Sequence, residues 1–307
     1  MNKNPKPVRT ATNEKWWKIT KEEEYKNNKK LKPIDVSFIK EWIRKQPHLP
    51  QLNDNQIIMF LRACDYSLER TKETIDLNYT TRTKLPDFFS ERDLERKAIK
   101  IGMEYLHIAV SPKREDDSIV ISAGIKPLEI SKLFTEEYLK LALMIHDMTH
   151  LEYGSAEGYI YILDFKNVTF TLVLHLPLPV IVNALKFWQY CATYKIKGIH
   201  IINGGTVFEK ALPIFQPFLK SEIVAMIKVH SNYESLRDAV SPKTLPSDYG
   251  GSCASVEELT REAYKNTALY KEWFFEEEKQ RVEERKRLSN APKDYGIQGS
   301  FRKLELD

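Results

Sequence analysis

Cysteine is scarce: Cys64, Cys191 and Cys253 are the only three in 307 residues. An odd, widely spaced set has neither the even count of a disulfide framework nor the close pairing of a structural zinc site. It suits reduced thiols in a cytoplasmic protein. Charge imbalance is also missing. With 47 basic and 43 acidic side chains the formal charge is +4, too small at this length to argue for nucleic acid. No bilayer-spanning run is present either. The oiliest stretch, 168–185, is interrupted by His175, Pro177, Pro179 and Asn183, whereas a spanning helix needs about 20 predominantly apolar residues. It reads as strand, turn and helix. The N-terminus, MNKNPKPVRT, is basic and polar, so neither a secretory signal nor an anchor is expected there.

The signatures of common catalytic sites are incomplete. NGGT at 203–206 follows the strand-like IHII, as a phosphate cradle would, but there is no third glycine and no Walker lysine. A tight strand-to-helix turn capped by Thr206 is the alternative. HDMTH at 146–150 sets two imidazoles four apart on a helix, as in the H-E-x-x-H zinc motif. The intervening acid is Asp147, however, no third ligand follows at a recognised spacing, and a helix C-terminus favours histidine in any case. No G-x-S-x-G elbow exists. Asp164, ending GYIYILDF, stands where α/β enzymes often place a carboxylate, or caps a turn. The expectation is a protein that is not an enzyme and uses no metal and no cofactor.

What is present is a globular chain, 42% apolar and 29% charged. Residues 1–15 read as disordered, with Trp16 and Trp17 the first to pack. Helical periodicity dominates from Ile34 to Phe89, where Phe38, Ile39, Trp42 and Ile43 share a face and further helices are expected over Ile57–Cys64 and Leu68–Thr83. After Leu94 the strand-like runs SIVISAG, GYIYILDF, KGIHIIN and MIKVH alternate with helical stretches at 136–150, 180–194, 207–219 and 235–240. That alternation predicts an α/β domain with a mostly parallel sheet covered by helices. One charged helix is expected from Val256 to Leu288, docking through Leu259, Ala263, Tyr270, Trp273 and Phe274. The expected division is a small helical domain at 16–92, the sheet domain at 93–252 and a C-terminal extension at 253–307.

The segment 207–219 stands apart. Phe208, Leu212, Phe215 and Leu219 form one apolar row and Val207, Ala211, Ile214 and Phe218 the adjacent one. Pro213 and Pro217 each remove a backbone donor, which predicts a kinked segment. Periodicity alone fits a movable lid and a buried core helix equally.

Seven stretches, IKEWIRKQPHLP, FLRACDYSLERTKE, GYIYILDF, KGIHIIN, IFQPFLKSEI, VHSNYESL and LPSDYGG, occur in this order over about residues 34–252. In type and spacing they resemble the CRAL-TRIO lipid-binding family, particularly its tocopherol- and retinaldehyde-binding branch. The resemblance implies a cavity between the sheet and a mobile gate helix, Val207 to Leu219, and a single hydrophobic ligand. It implies walls formed by Tyr138, Leu141, Ile145, Tyr159, Tyr161, Leu163, Val168, Phe170, Ala184, Phe187, Trp188, Ile199 and Ile201, with Phe208, Leu212 and Phe215 on the gate. Release is expected at a membrane, the exposed gate phenylalanines inserting as the gate opens. Phosphoinositide-responsive relatives carry basic residues near the gate at positions that read Cys64, Glu222 and Met226 here; Lys195 alone keeps its charge, with Lys220, Lys228 and Arg62 as candidate substitutes. The usual DLEG after the central strand is DFKN. The implied function is a cytoplasmic carrier of a tocopherol-, retinoid- or carotenoid-like lipid, peripheral at membranes; the oligomeric state is open, a monomer being preferred. The alternative is a phosphoinositide- or phospholipid-binding regulator or scaffold.

Overall fold

The computed structural model describes residues 14–288 apart from 113 and 115; of the disorder expected over residues 1–15, residues 1–13 lie outside that range, and Glu14–Trp16 instead form a 3-10 turn. Five helices come first: α1 (Lys21–Asn27), α2 (Pro33–Arg44), α3 (Asp54–Ala63), α4 (Leu68–Lys84) and the single turn α5 (Pro86–Phe89). Their starts follow from local chemistry. Thr20 with Glu23 and Asn53 with Gln56 form reciprocal capping boxes, and Pro33 opens α2 where its missing N–H costs nothing. Ile39, Ile43, Ile57, Ile58, Leu61 and Ile75 form the core between these helices. Phe38, expected on the packed face of α2, is instead 48% exposed. It lies just beyond the buried stripe, where the Lys72 ammonium covers its ring at 4.8 Å.

Helix α6 (Lys97–Tyr105) leads into a five-stranded sheet of sequential order: β1 (Leu106–Val110), β2 (Ser118–Ile125), β3 (Gly158–Asp164), β4 (Ile196–Ile202) and β5 (Ile227–Val229). Strand β1 is antiparallel to β2 and the other neighbours are parallel. The fold is therefore the expected mostly parallel α/β sheet, with the antiparallel edge strand β1 as an addition. The crossovers are α7 (Thr135–Tyr153), then α8 (Phe170–His175) and α9 (Leu178–Lys186), then α10 (Gly205–Phe215) and α11 (Ser221–Ala225). Since neighbouring parallel strands follow one another in one direction and such crossovers are right-handed, these helices gather on one face of the sheet. The opposite face carries α12 (Tyr233–Ala239) and a core of Val120, Ile162, Ile202, Leu236 and Leu245.

The single long C-terminal helix is interrupted. Helix α13 (Val256–Leu269) stops, α14 (Lys271–Glu277) follows, and a 3-10 turn at Glu284–Lys286 comes later. At the break Tyr270 is buried and donates to Glu152 Oε1 at 2.7 Å, a contact a straight helix would forgo. The five expected docking residues are all buried. Glu277 thereby reaches a buried ion cluster. It accepts from Arg82 at 2.9 Å and from Arg92, while Asp147 of α7 accepts from Arg82 at 3.0 Å and Arg92 at 2.5 Å. The two guanidiniums hold the Asp147 carboxyl well below its ordinary range, against the cost of burial.

Candidate functional site

The turn between β4 and α10 sets the site. Asn203 (φ 54°) and Gly205 (φ 45°) both adopt left-handed backbone, which glycine does at no steric cost. A Cβ at Gly204 would meet Ile201 Cγ2 at 2.8 Å and Phe208 Cβ at 2.9 Å. Close packing of strand against helix accounts for Gly204, and the left-handed backbone for Gly205. The helix N-cap is Gly204 and Thr206 lies inside the first turn, so the expected threonine cap is not formed. Asp164 also serves the turn region: it accepts from Asn203 Nδ2 and its neighbour Lys166 N at 2.9 Å each and from the Tyr249 hydroxyl at 3.2 Å.

Helix α10 contains Pro213 and gives way at Gln216 to a 3-10 turn holding Pro217. Without an N–H, Pro217 cannot continue the α ladder from the carbonyl of Pro213, so the helix tightens there. The phenylalanines face inward. Phe208 is buried edge-on against Phe165, with ring centroids 5.3 Å apart, and Phe215 is half-buried, whereas the outer side presents Thr206, Glu209, Lys210, Pro213 and Gln216. The phenylalanines expected to be exposed on this segment are therefore buried or half-buried.

Beneath α10 lies a cavity of about 400 Å³. Of the residues expected on its walls, Tyr138, Leu163, Val168, Ile199, Ile201, Phe208, Leu212 and Phe215 border it. Leu141, Ile145 and Tyr159 instead belong to the solid core under α7, with Tyr161 packed against it. There His146 stacks on Tyr194 at 5.1 Å and contacts the Tyr161 hydroxyl at 2.6 Å. Ala184 and Phe187 pack with Phe89, the last two rings 4.8 Å apart. Phe170 turns away beneath the Lys210 ammonium at 5.9 Å. Trp188 faces a second cavity. The reason is depth: the space opens at the C-terminal ends of the strands, the usual ligand side of an α/β sheet, and aromatic side chains fill the other end. Leu128, Leu133, Leu172, Leu176, Ile181 and Leu185 also line it; their apolar pattern was visible, their position at the strand ends was not.

The would-be zinc pair is spent elsewhere. His146 Nδ1 meets the Ala142 carbonyl at 2.8 Å, burial pushes the His150 imidazole down to about 4, and Asp147 faces the arginines. Among the described residues no three histidine, cysteine or acidic side chains are grouped to hold a metal ion.

One gate contact had no sequence signal. Residues Phe187–Cys191 form a π-helical turn, a widening that often marks a functional position. Its Gln189 donates to the Phe218 carbonyl at 3.0 Å and accepts from the Lys220 N–H at 2.6 Å, tying the segment just after α10 to this turn. Gln189→Ala is expected to speed release of a bound apolar fluorophore about tenfold, the weight of one or two buried hydrogen bonds. Stopped-flow dilution into vesicles measures it, and an unchanged rate would show that the tie does not slow release.

The second cavity, about 660 Å³, is lined by Cys64, Arg70, Trp188, Tyr190, Lys195, Lys220 and Met226 among others. Its cations are engaged. Lys195 pairs with Asp65 at 2.6 Å and Glu157 at 3.5 Å, and Arg70 lies 3.7 Å from Asp65. Lys220 donates to the Gln189 carbonyl at 2.9 Å and lies over the Tyr190 ring, with its pKa lowered by burial. Arg62 is buried against Ser155 and Asp117, Lys228 is exposed on β5, and Glu222 is exposed outside the cavity.

Residues 113–251, which include the sheet from β2 onward and the gate, match the CRAL/TRIO domain description, and residues 27–99 match a Pinta-like UBA domain. Residues 113–251 thus carry a CRAL/TRIO domain. The chain is 23% identical over 232 residues to the human alpha-tocopherol transfer protein-like protein, covering 74% of this chain and 67% of that one. It is 29% identical over 223 residues to Xenopus laevis clavesin-1, covering 71% and 67% respectively. The solved structure titled "Crystal structure of Sfh5" overlays 75% of this chain and 92% of its own at 11% identity, with a TM-score of 0.45. Within the described residues, no helix is long and apolar enough to cross a membrane.

Proposed function

We propose that the protein is a carrier that holds one hydrophobic small molecule, of tocopherol, retinoid or carotenoid type, under the α10 gate and exchanges it with membranes without covalent chemistry. The single observation that supports this reading most is the 400 Å³ cavity walled by apolar side chains from five crossover helices and four strands. Its size suits a small lipid. Burial of apolar area contributes about 25 cal/mol per Å², so a few hundred Å² of ligand surface is retained without any ionic anchor. Departure requires the gate to swing, which turns Phe208, Leu212 and Phe215 outward, and a bilayer is the medium that accepts them. The phosphoinositide-regulator reading is supported less, because Lys195 and Arg70 already face carboxylates that a phosphate would have to displace.

Phe215→Asp tests the reading by placing a carboxylate on the cavity wall. Uptake of α-tocopherol or retinol from phosphatidylcholine vesicles, measured by extraction and mass spectrometry, is expected to fall more than about tenfold. Leu269→Asp, on the exposed side of α13, is the control that keeps uptake. Equal uptake by Phe215→Asp and the parent chain would sink the proposal.

A further inference from the structure

The main cavity offers hydrocarbon and nothing else. Of its lining side chains only those of Thr135 and Tyr138 carry a heteroatom, and no polar atom presents surface to the space. The Tyr138 hydroxyl already donates to the Lys132 carbonyl at 2.6 Å. Thr135 is the first residue of α7. Within longer runs of helix, Thr83, Thr149 and Thr267 donate to the carbonyl four residues back at 2.7 Å, a partner that at Thr135 lies before the helix begins. Its hydroxyl is buried in the wall without a partner.

The two ends of the cavity differ. Ile223, just before β5, lines both the apolar cavity and its polar neighbour. Leu128 and Leu133 follow β2, on the far side of the sheet. Three strand spacings, about 14 Å, separate the two ends. A polar group carried by the ligand lies next to the polar cavity at the Ile223 end, whereas at the Leu128 end no polar atom faces it and it loses its water without gaining a partner, a penalty that an apolar chain does not meet.

We propose that this cavity selects lipids whose buried portion is hydrocarbon through to the end that reaches Leu128 and Leu133, a polyprenoid or alkyl chain, and discriminates against chains hydroxylated at that end. The inference rests on the carrier reading and narrows its ligand class.

Diphenylhexatriene, a hydrocarbon that fluoresces when removed from water, serves as the probe, displaced from the full chain by hexadecane or by 1,16-hexadecanediol. With a hydroxyl at each end, the diol must bury one whichever way it enters. The diol is expected to compete about tenfold to a hundredfold less well than hexadecane, the range over which an apolar pocket rejects an added hydroxyl. Val168→Thr, which puts a hydroxyl on the wall at nearly constant volume, is expected to narrow that gap by improving competition by the diol relative to hexadecane. Equal competition by the two molecules in the parent chain overturns the proposal and leaves the carrier reading standing. A gap that Val168→Thr leaves unchanged also overturns it, because the discrimination then has another origin. No uptake of diphenylhexatriene sinks the carrier reading and the proposal together.

Discussion

Arg92→Met is expected to lower the unfolding free energy by about 3–5 kcal/mol, the cost of removing one partner from a buried ion pair. Arg92 is fully buried, with one nitrogen on Asp147 and another on Glu277, and its guanidinium lies 4.9 Å from the Phe274 ring centre. Methionine fills much of the same volume, so the loss is chiefly electrostatic. Two carboxylates are left to share Arg82, with only the partly exposed Arg281 to assist at Glu277. Urea denaturation at pH 7 measures the change, and adding Glu277→Gln to Arg92→Met is expected to recover part of it by restoring the charge balance. A loss below about 1 kcal/mol, the scale of an exposed salt bridge, would show that the cluster behaves as surface charge does.

Stability is expected to fall as the pH drops from about 6.5 to 4, with His150 and His200 each contributing on the order of 3 kcal/mol. Burial is the main cause in both cases and pushes each imidazole down to about 4. At His200 the neighbouring His230, whose Nε2 lies 2.8 Å from its Nδ1, and Lys228 on β5 push in the same direction; at His150 Asp147 opposes burial but does not outweigh it. A folded pKa below the unfolded one means that the unfolded chain takes up protons first. The contribution is therefore complete above about pH 6.5 and is lost as the pH falls through the folded value. Urea midpoints at pH 7, 6, 5 and 4.5 reveal the slope, and His200→Asn is expected to flatten it. A level profile over this range would contradict both assignments.

The architecture was legible because the crossover helices and parallel strands carry their periodicities openly, and Tyr159, Tyr161 and Leu163, which the resemblance implies as walls, share one face of β3. What periodicity does not encode is depth. All three side chains point to the helix-covered face, yet only Leu163, at the strand's C-terminal end, meets the cavity, while the two tyrosines are packed around His146 and Tyr194. The same holds on α7, where Tyr138 in the first turn borders the space and Leu141 and Ile145 do not. Gln189 was invisible for a different reason: a π-helical turn has no distinctive residue pattern, and a glutamine in an oily helix gives no hint of the carbonyl and amide it holds 29 and 31 positions later. Strand β1 was missed because five residues on an antiparallel edge are too few for alternation to stand out.

The docking of α14 also has a consequence for biosynthesis. Arg82 and Arg92 leave the ribosome almost two hundred residues ahead of Glu277, 195 and 185 positions by sequence separation. Until Glu277 emerges, the arginines have only Asp147 to face, and the surface that α13 and α14 will cover remains open to water. The helical N-terminal segment and the sheet can take shape as they appear. Their joint cannot close before translation has passed residue 277. A chain stopped before α14 would leave that hydrophobic seam open to water and the positive charge of Arg82 and Arg92 only half balanced, by Asp147 alone.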